Sequence, residues 1–231
     1  MAKTSFVGTE PDIIHLDPNA KGTRVDSENS IIGLEDERIR VRDFWQWAFS
    51  DLFDDDLKGW YAEWLKSILL GIRTDRRRSW ANTDLVSPSG VRIEVKSSSY
   101  WQSWKLWDET GNPKPIKIAG DKERRRIRFS GLKVGDAVAP SPSNVGYKSD
   151  LYIFAFQSQP DPRLWNALDI CQWEFYMLTR QELEAIGTKS ISLDTVRAKC
   201  GAPMSAGEFR IQGREKLQEF AVMKAGSGAS N

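Results

Sequence analysis

Residues 82–98 read Asn82-Thr83-Asp84-Leu85-Val86-Ser87-Pro88-Ser89-Gly90-Val91-Arg92-Ile93-Glu94-Val95-Lys96-Ser97-Ser98. Two extended runs, 82–87 and 91–98, flank Pro88-Ser89-Gly90. Side chains alternate along a strand, so Val91, Ile93 and Val95 share one face and Arg92, Glu94 and Lys96 the other. Proline at the second position and glycine at the fourth suit a type I turn closed by a left-handed glycine, the three-residue hairpin with a bulge. That register sets Ser87 opposite Val91 and Asp84 opposite Glu94; a four-residue loop would instead turn Asp84 toward Ile93 and the apolar layer. Two carboxylates facing each other destabilise a hairpin unless a cation holds them. Oxygen donors of this kind suit Mg2+ or Mn2+. Lys96 follows Glu94 on the same face, roughly 7 Å along the strand.

Before the hairpin, residues 57–72 are apolar at 60, 61, 64, 65, 68, 69 and 72, a helical stripe expected to form the buried face. Glu63 borders that face, about 60° beyond its edge. Asp54-Asp55-Asp56 supplies a break and an N-cap, and residues 34–53 read as an earlier helix. After the hairpin, 100–107 is aromatic and open to a helix. Trp101, Trp104 and Trp107 recur there every third residue, a spacing that favours packing on a sheet over base stacking. Residues 124–130 suit a short basic strand or helix, 150–157 a buried strand, 173–178 a second strand, 180–186 a short helix and 189–193 an extended piece. This order predicts an α/β fold, a central mixed β-sheet flanked by helices. The expected organisation is a polar arm over 1–33, a single domain over 34–225 and a flexible tail over 226–231.

The chain has 231 residues, 40% of them hydrophobic, enough for a real core, and its ten tryptophans are expected mostly inside. Cys171, Cys200 and the single His15 are too few for a structural zinc site, and they leave little room for serine–histidine chemistry. No GxxxxGK phosphate loop is present. No secretory leader or membrane-length apolar run appears, so a cytoplasmic protein without a membrane partner is expected. The net charge of +1 hides an uneven distribution. Residues 1–57 hold 6 Lys and Arg against 13 Asp and Glu, whereas residues 73–128 hold 14 against 7. Positive charge therefore gathers around the hairpin, as a phosphate backbone would require. Arg76-Arg77-Arg78 and Arg124-Arg125-Arg126 are the candidate phosphate contacts, with a solvated basic loop as the plainer alternative.

Asp84, nine residues, Glu94, one residue and Lys96 resemble the motif of the PD-(D/E)xK nuclease superfamily. The resemblance covers about residues 58–107, with strand 150–157 continuing the sheet; Thr83 stands where the motif has proline. It implies a restriction-endonuclease-like core and Mg2+-dependent hydrolysis of DNA. Asp84, Glu94 and the Val95 carbonyl would hold the metal, and Lys96 would activate water and stabilise phosphate charge. Glu63 matches the helix acid that is a further ligand in some members, and Gln102 matches a glutamine found after the lysine in several. DNA is the partner implied, with a homodimer or a partner subunit left open. The alternatives are a nuclease-fold module that binds nucleic acid or a protein without cutting it, and a structural subunit docked through the acidic arm.

Overall fold

The computed structural model describes residues 26–29, 39–72, 81–103, 106, 108–110, 112–135 and 144–228. The chain divides into two compact units, residues 1–50 and 51–231. In the first, α1 (Val41–Phe49) begins where Arg40 N–H donates to the Asp43 carboxylate at 2.6 Å, satisfying an amide that the helix cannot. No residue of α1 is buried, and Phe44, Trp45, Trp47 and Phe49 are all exposed. Of the helix expected over 34–53, the nine residues Val41–Phe49 are helical, and residues 34–38 lie outside the described residues.

The second unit is α/β. Strands β1 (Leu85–Val86), β2 (Arg92–Ser99), β4 (Leu151–Gln157) and β5 (Trp173–Thr179) form a mixed sheet in the order β1-β2-β4-β5. β2 runs parallel to β4, and the other two pairings are antiparallel. Both faces of the sheet are packed, which is why all seven residues of β4 are buried. On one face α2 (Asp55–Leu70) and α6 (Ala206–Gly228) cover Val91, Ile93, Val95, Ile153 and Phe175. On the other, Tyr152, Phe154, Phe156 and Tyr176 meet a second apolar cluster that includes Phe129, Leu132, Tyr147, Leu183 and Val196. Its parts come from β3 (Arg128–Phe129), α4 (Arg180–Ile186), β6 (Ile191–Ser192) and α5 (Leu193–Cys200), and β3 pairs with β6 in a small second sheet.

Local chemistry sets the element ends. Asp54 caps α2 by accepting from Asp56 and Leu57 N–H, as the triple aspartate predicts. Thr179 and Glu182 form a reciprocal capping box at the start of α4, and Ser205 and Glu208 exchange the same bonds before α6. Four expectations are corrected. The stripe on α2 is rotated: Lys58, Ala62, Leu65, Lys66, Ser67 and Leu70 are inside, while Trp60, Trp64 and Ile68 are exposed. Lysine stems carry enough hydrocarbon to line a core, and counting apolar residues overlooks them. Of the seven described tryptophans only Trp101 and Trp173 are buried, because an indole is seldom covered completely. Residues 100–103 form no α-helix; Trp101 donates its indole N–H to Pro160 O at 3.1 Å, and Trp104 and Trp107 lie outside the described residues. Residues 226–228 belong to α6 rather than to a tail. Among the described residues no helix is long and apolar enough to cross a membrane.

Candidate functional site

The hairpin has the register its turn chemistry demands. Leu85 pairs with Ile93 and Val86 with Arg92. Ser87 N–H donates to Val91 O, and Gly90 N–H to Ser87 O, each at 2.9 Å. Gly90 has φ 77°, which an L side chain would resist. Continued by one residue, this register sets Asp84, just before β1, opposite Glu94. Asp84 Oδ2 accepts from the Val95 amide at 2.7 Å, so the carboxylate caps the edge of β2 beside Glu94.

Glu94 and Lys96 project from the face of β2 that carries Tyr152 and Phe154 on β4. Glu94 Oε1 and Lys96 Nζ are 2.7 Å apart, with side chains only 11% and 21% exposed. Such shielding separates this pair from a surface ion pair, whose charges water screens. The pair lies on the face of the sheet against which the second apolar cluster packs. Ser149, fully buried, donates its hydroxyl to Glu94 Oε2 at 3.4 Å. The Ser149 amide in turn donates to Tyr152 Oη at 3.3 Å. On the other side of the lysine, a Cβ added to Gly131 would lie 3.5 Å from Lys96 Nζ.

Burial pushes the Glu94 carboxyl above its ordinary value, and the nearby Asp84 charge pushes the same way; Lys96 and Ser149 pull only partly against them. A carboxylate pair that resists ionising together is a pair that a cation would relieve. With the Val95 carbonyl the donors are all oxygens, the set that suits Mg2+.

Glu63 is half-buried on α2, and no group of three or more His, Cys, Asp or Glu able to hold a metal occurs among the described residues. Glu63 therefore does not complete a triad of acids with Asp84 and Glu94. Gln102 Oε1 accepts from Lys58 Nζ at 3.4 Å. That amine also reaches Ser99 Oγ, Trp101 O and Asp55, on the α2 side of the sheet. Gln102 is thus held away from Glu94 and Lys96. Arg124, at the end of α3 (Asp121–Arg124), is ion-paired with Asp121 and Asp194, whereas Arg125 and Arg126 are exposed. Arg76, Arg77 and Arg78 lie outside the described residues.

Sequence reading missed Ser149 and Gly131. Each reaches the site across a long stretch of chain, and no local pattern marks them. The chain matches no protein-family model, no curated protein and no solved structure.

Proposed function

We propose that this chain is a metal-dependent nuclease of the PD-(D/E)xK type that hydrolyses DNA phosphodiester bonds. The observation that carries the reading is the convergence of Asp84, Glu94 and Lys96 on one sheltered corner of the sheet, with Glu94 Oε1 and Lys96 Nζ at 2.7 Å. A restriction-endonuclease-like core is part of this proposal; the mixed four-stranded sheet flanked by helices is compatible with it.

Asp84, Glu94 and the Val95 carbonyl would hold Mg2+, with Mn2+ as a substitute. The ion would neutralise non-bridging phosphate oxygens and lower the pKa of water at the scissile phosphorus. The chain's own groups do the rest. Asp84 is fixed by the Val95 amide and Glu94 by Ser149, so both carboxylates are oriented before any ligand arrives. Lys96 holds its ammonium against Glu94 and can transfer that contact to the phosphate as negative charge develops. The low exposure of Glu94 and Lys96 limits water at the pair, which strengthens these interactions.

The test is incubation of plasmid and single-stranded DNA with the protein in Mg2+, Mn2+ or EDTA, beside a Lys96→Ala variant. Metal-dependent cleavage that falls at least about a hundredfold in the variant supports the reading. DNA binding without cleavage in any metal would favour a non-cleaving nuclease-fold module. Equal cleavage by Lys96→Ala would remove the lysine from the chemistry.

A further inference from the structure

Two residues before Glu94, on the same face of β2, Arg92 meets two further cations around one carboxylate. Asp150 Oδ1 accepts from Arg92 Nη2 at 3.0 Å and from Arg180 Nη2 at 3.4 Å. Its Oδ2 accepts from the Arg92 amide and from Lys224 Nζ, both at 3.0 Å. Four elements contribute to this knot: β2, the residue ahead of β4, the first residue of α4, and α6. A structural pin between strands needs one counter-charge, and here three cations surround a single anion. The anion lies inside at 15% exposure, and the cations lie outside at 45%, 32% and 41% for Arg92, Arg180 and Lys224. Arg92 and Arg180 each keep Nη1 without a partner among the described residues.

We propose that Arg92, Arg180 and Lys224 form a phosphate-binding subsite for the nucleic-acid strand, taking the phosphate next to the one being cut. The nucleic-acid identity of the ligand rests on the nuclease reading; the surplus of positive charge does not. The two-residue step from Arg92 to Glu94 is about 6.6 Å along the strand. Ser149 ties the two places together, donating its hydroxyl to Glu94 and accepting Arg180 Nε–H at its carbonyl at 2.9 Å. Guanidinium forks pair with phosphate through two hydrogen bonds at once, and Asp150 fixes these forks in advance, so little side-chain entropy is lost on binding. A site with this neighbour takes a polynucleotide in preference to a mononucleotide ester.

The experiment measures affinity of the full chain for a fluorescein-labelled 16-base-pair DNA duplex in EDTA across a salt series, with Mg2+-dependent cleavage followed in parallel. Losing one phosphate contact should lower the slope of log affinity against log salt by about 0.9. Arg92→Gln/Arg180→Gln should show that loss and bind about tenfold more weakly at moderate salt. Arg92→Lys/Arg180→Lys, which keeps the ion pairs to Asp150, should retain the wild-type slope. If the glutamine pair does not fold, the exposed Arg92→Gln alone reads the slope in the same direction. An unchanged slope in a folded glutamine variant of a protein that cuts DNA overturns the subsite and leaves the nuclease reading standing. A lowered slope in a protein that binds but never cuts supports the subsite and overturns cleavage. A wild-type chain that neither binds nor cuts the duplex overturns both.

Discussion

Lys66→Met should stabilise the protein. Lys66 is fully buried on α2, its Nζ lying 4.4 Å from the Trp173 ring centre and 4.9 Å from that of Phe175. The amine has no hydrogen-bond partner among the described residues. Burial drives its pKa well below the ordinary lysine value, so folding favours the neutral amine. A buried polar group without a partner costs about 1–3 kcal/mol. Methionine has nearly the same length, keeps the ring contacts through sulfur and removes the polar atom. The opposing contribution, cation–π attraction of up to about 2 kcal/mol when desolvated, requires a charged amine and fades as the amine loses its proton. A gain of about 1–3 kcal/mol follows, or roughly 2–4 °C in Tm per kcal/mol for a chain of this size. The sign with pH is fixed by linkage. Between the lowered folded pKa and the ordinary unfolded one, the unfolded state binds more protons, so wild-type stability rises with pH. The advantage of the variant should therefore be largest at the low end of that window and shrink toward pH 10. Urea unfolding at pH 7 and at pH 10 measures both effects. A variant less stable than wild type at pH 7 would refute the reasoning and show that the rings hold a charged ammonium.

Mg2+ should raise the Tm of the wild type and leave Glu94→Gln nearly unmoved, because the variant would give up one of the two carboxylates proposed to hold the ion. The raised pKa of Glu94 means that protons compete for it above the ordinary carboxylate range. The Mg2+ effect should be lost as pH falls through that raised value, and a differential scanning fluorimetry series checks it. Gly131→Ala should cost about 1–2 kcal/mol, since φ is 70° there, and urea unfolding reads it. The added methyl also reaches the Lys96 ammonium, so cleavage at matched folded fraction should fall, whereas Gly90→Ala, at φ 77° with open space around it, should cost stability alone.

The hairpin was legible because its determinants are neighbours in the chain: a Pro-Ser-Gly turn and strict alternation. The same holds for β4, β5 and α4, where an apolar run or a capping box announces each element. α6 is not legible as a helix in the sequence, for a physical reason. Its inward positions are Phe209, Gly213 and Leu217, and a Cβ at Gly213 would come within 2.5 Å of Leu70 Cδ2. The closest approach to α2 thus needs a glycine where periodicity seeks a large apolar residue. The Ser205–Glu208 capping box ahead of it was the available signal. Within the candidate site, the Asp84–Glu94–Lys96 arrangement could be read from register alone. Gln102 could not be placed, because Lys58, forty-four residues away, decides where its side chain points.

Parallel pairing of β2 with β4 has a kinetic consequence. Asp84 and Val95 are 11 residues apart, whereas Arg92 and Asp150 are 58 apart. Closing the longer loop costs about 1.5 kcal/mol more in chain entropy. An isolated hairpin forms in about 1–10 μs but is barely stable by itself. During refolding the two carboxylates can thus meet early and transiently, and Glu94 is fixed only when β4 docks and Ser149 arrives just ahead of it. Recovery of the site should follow the slow phase that completes the four-stranded sheet, and mutations that delay docking of β4 should delay it equally.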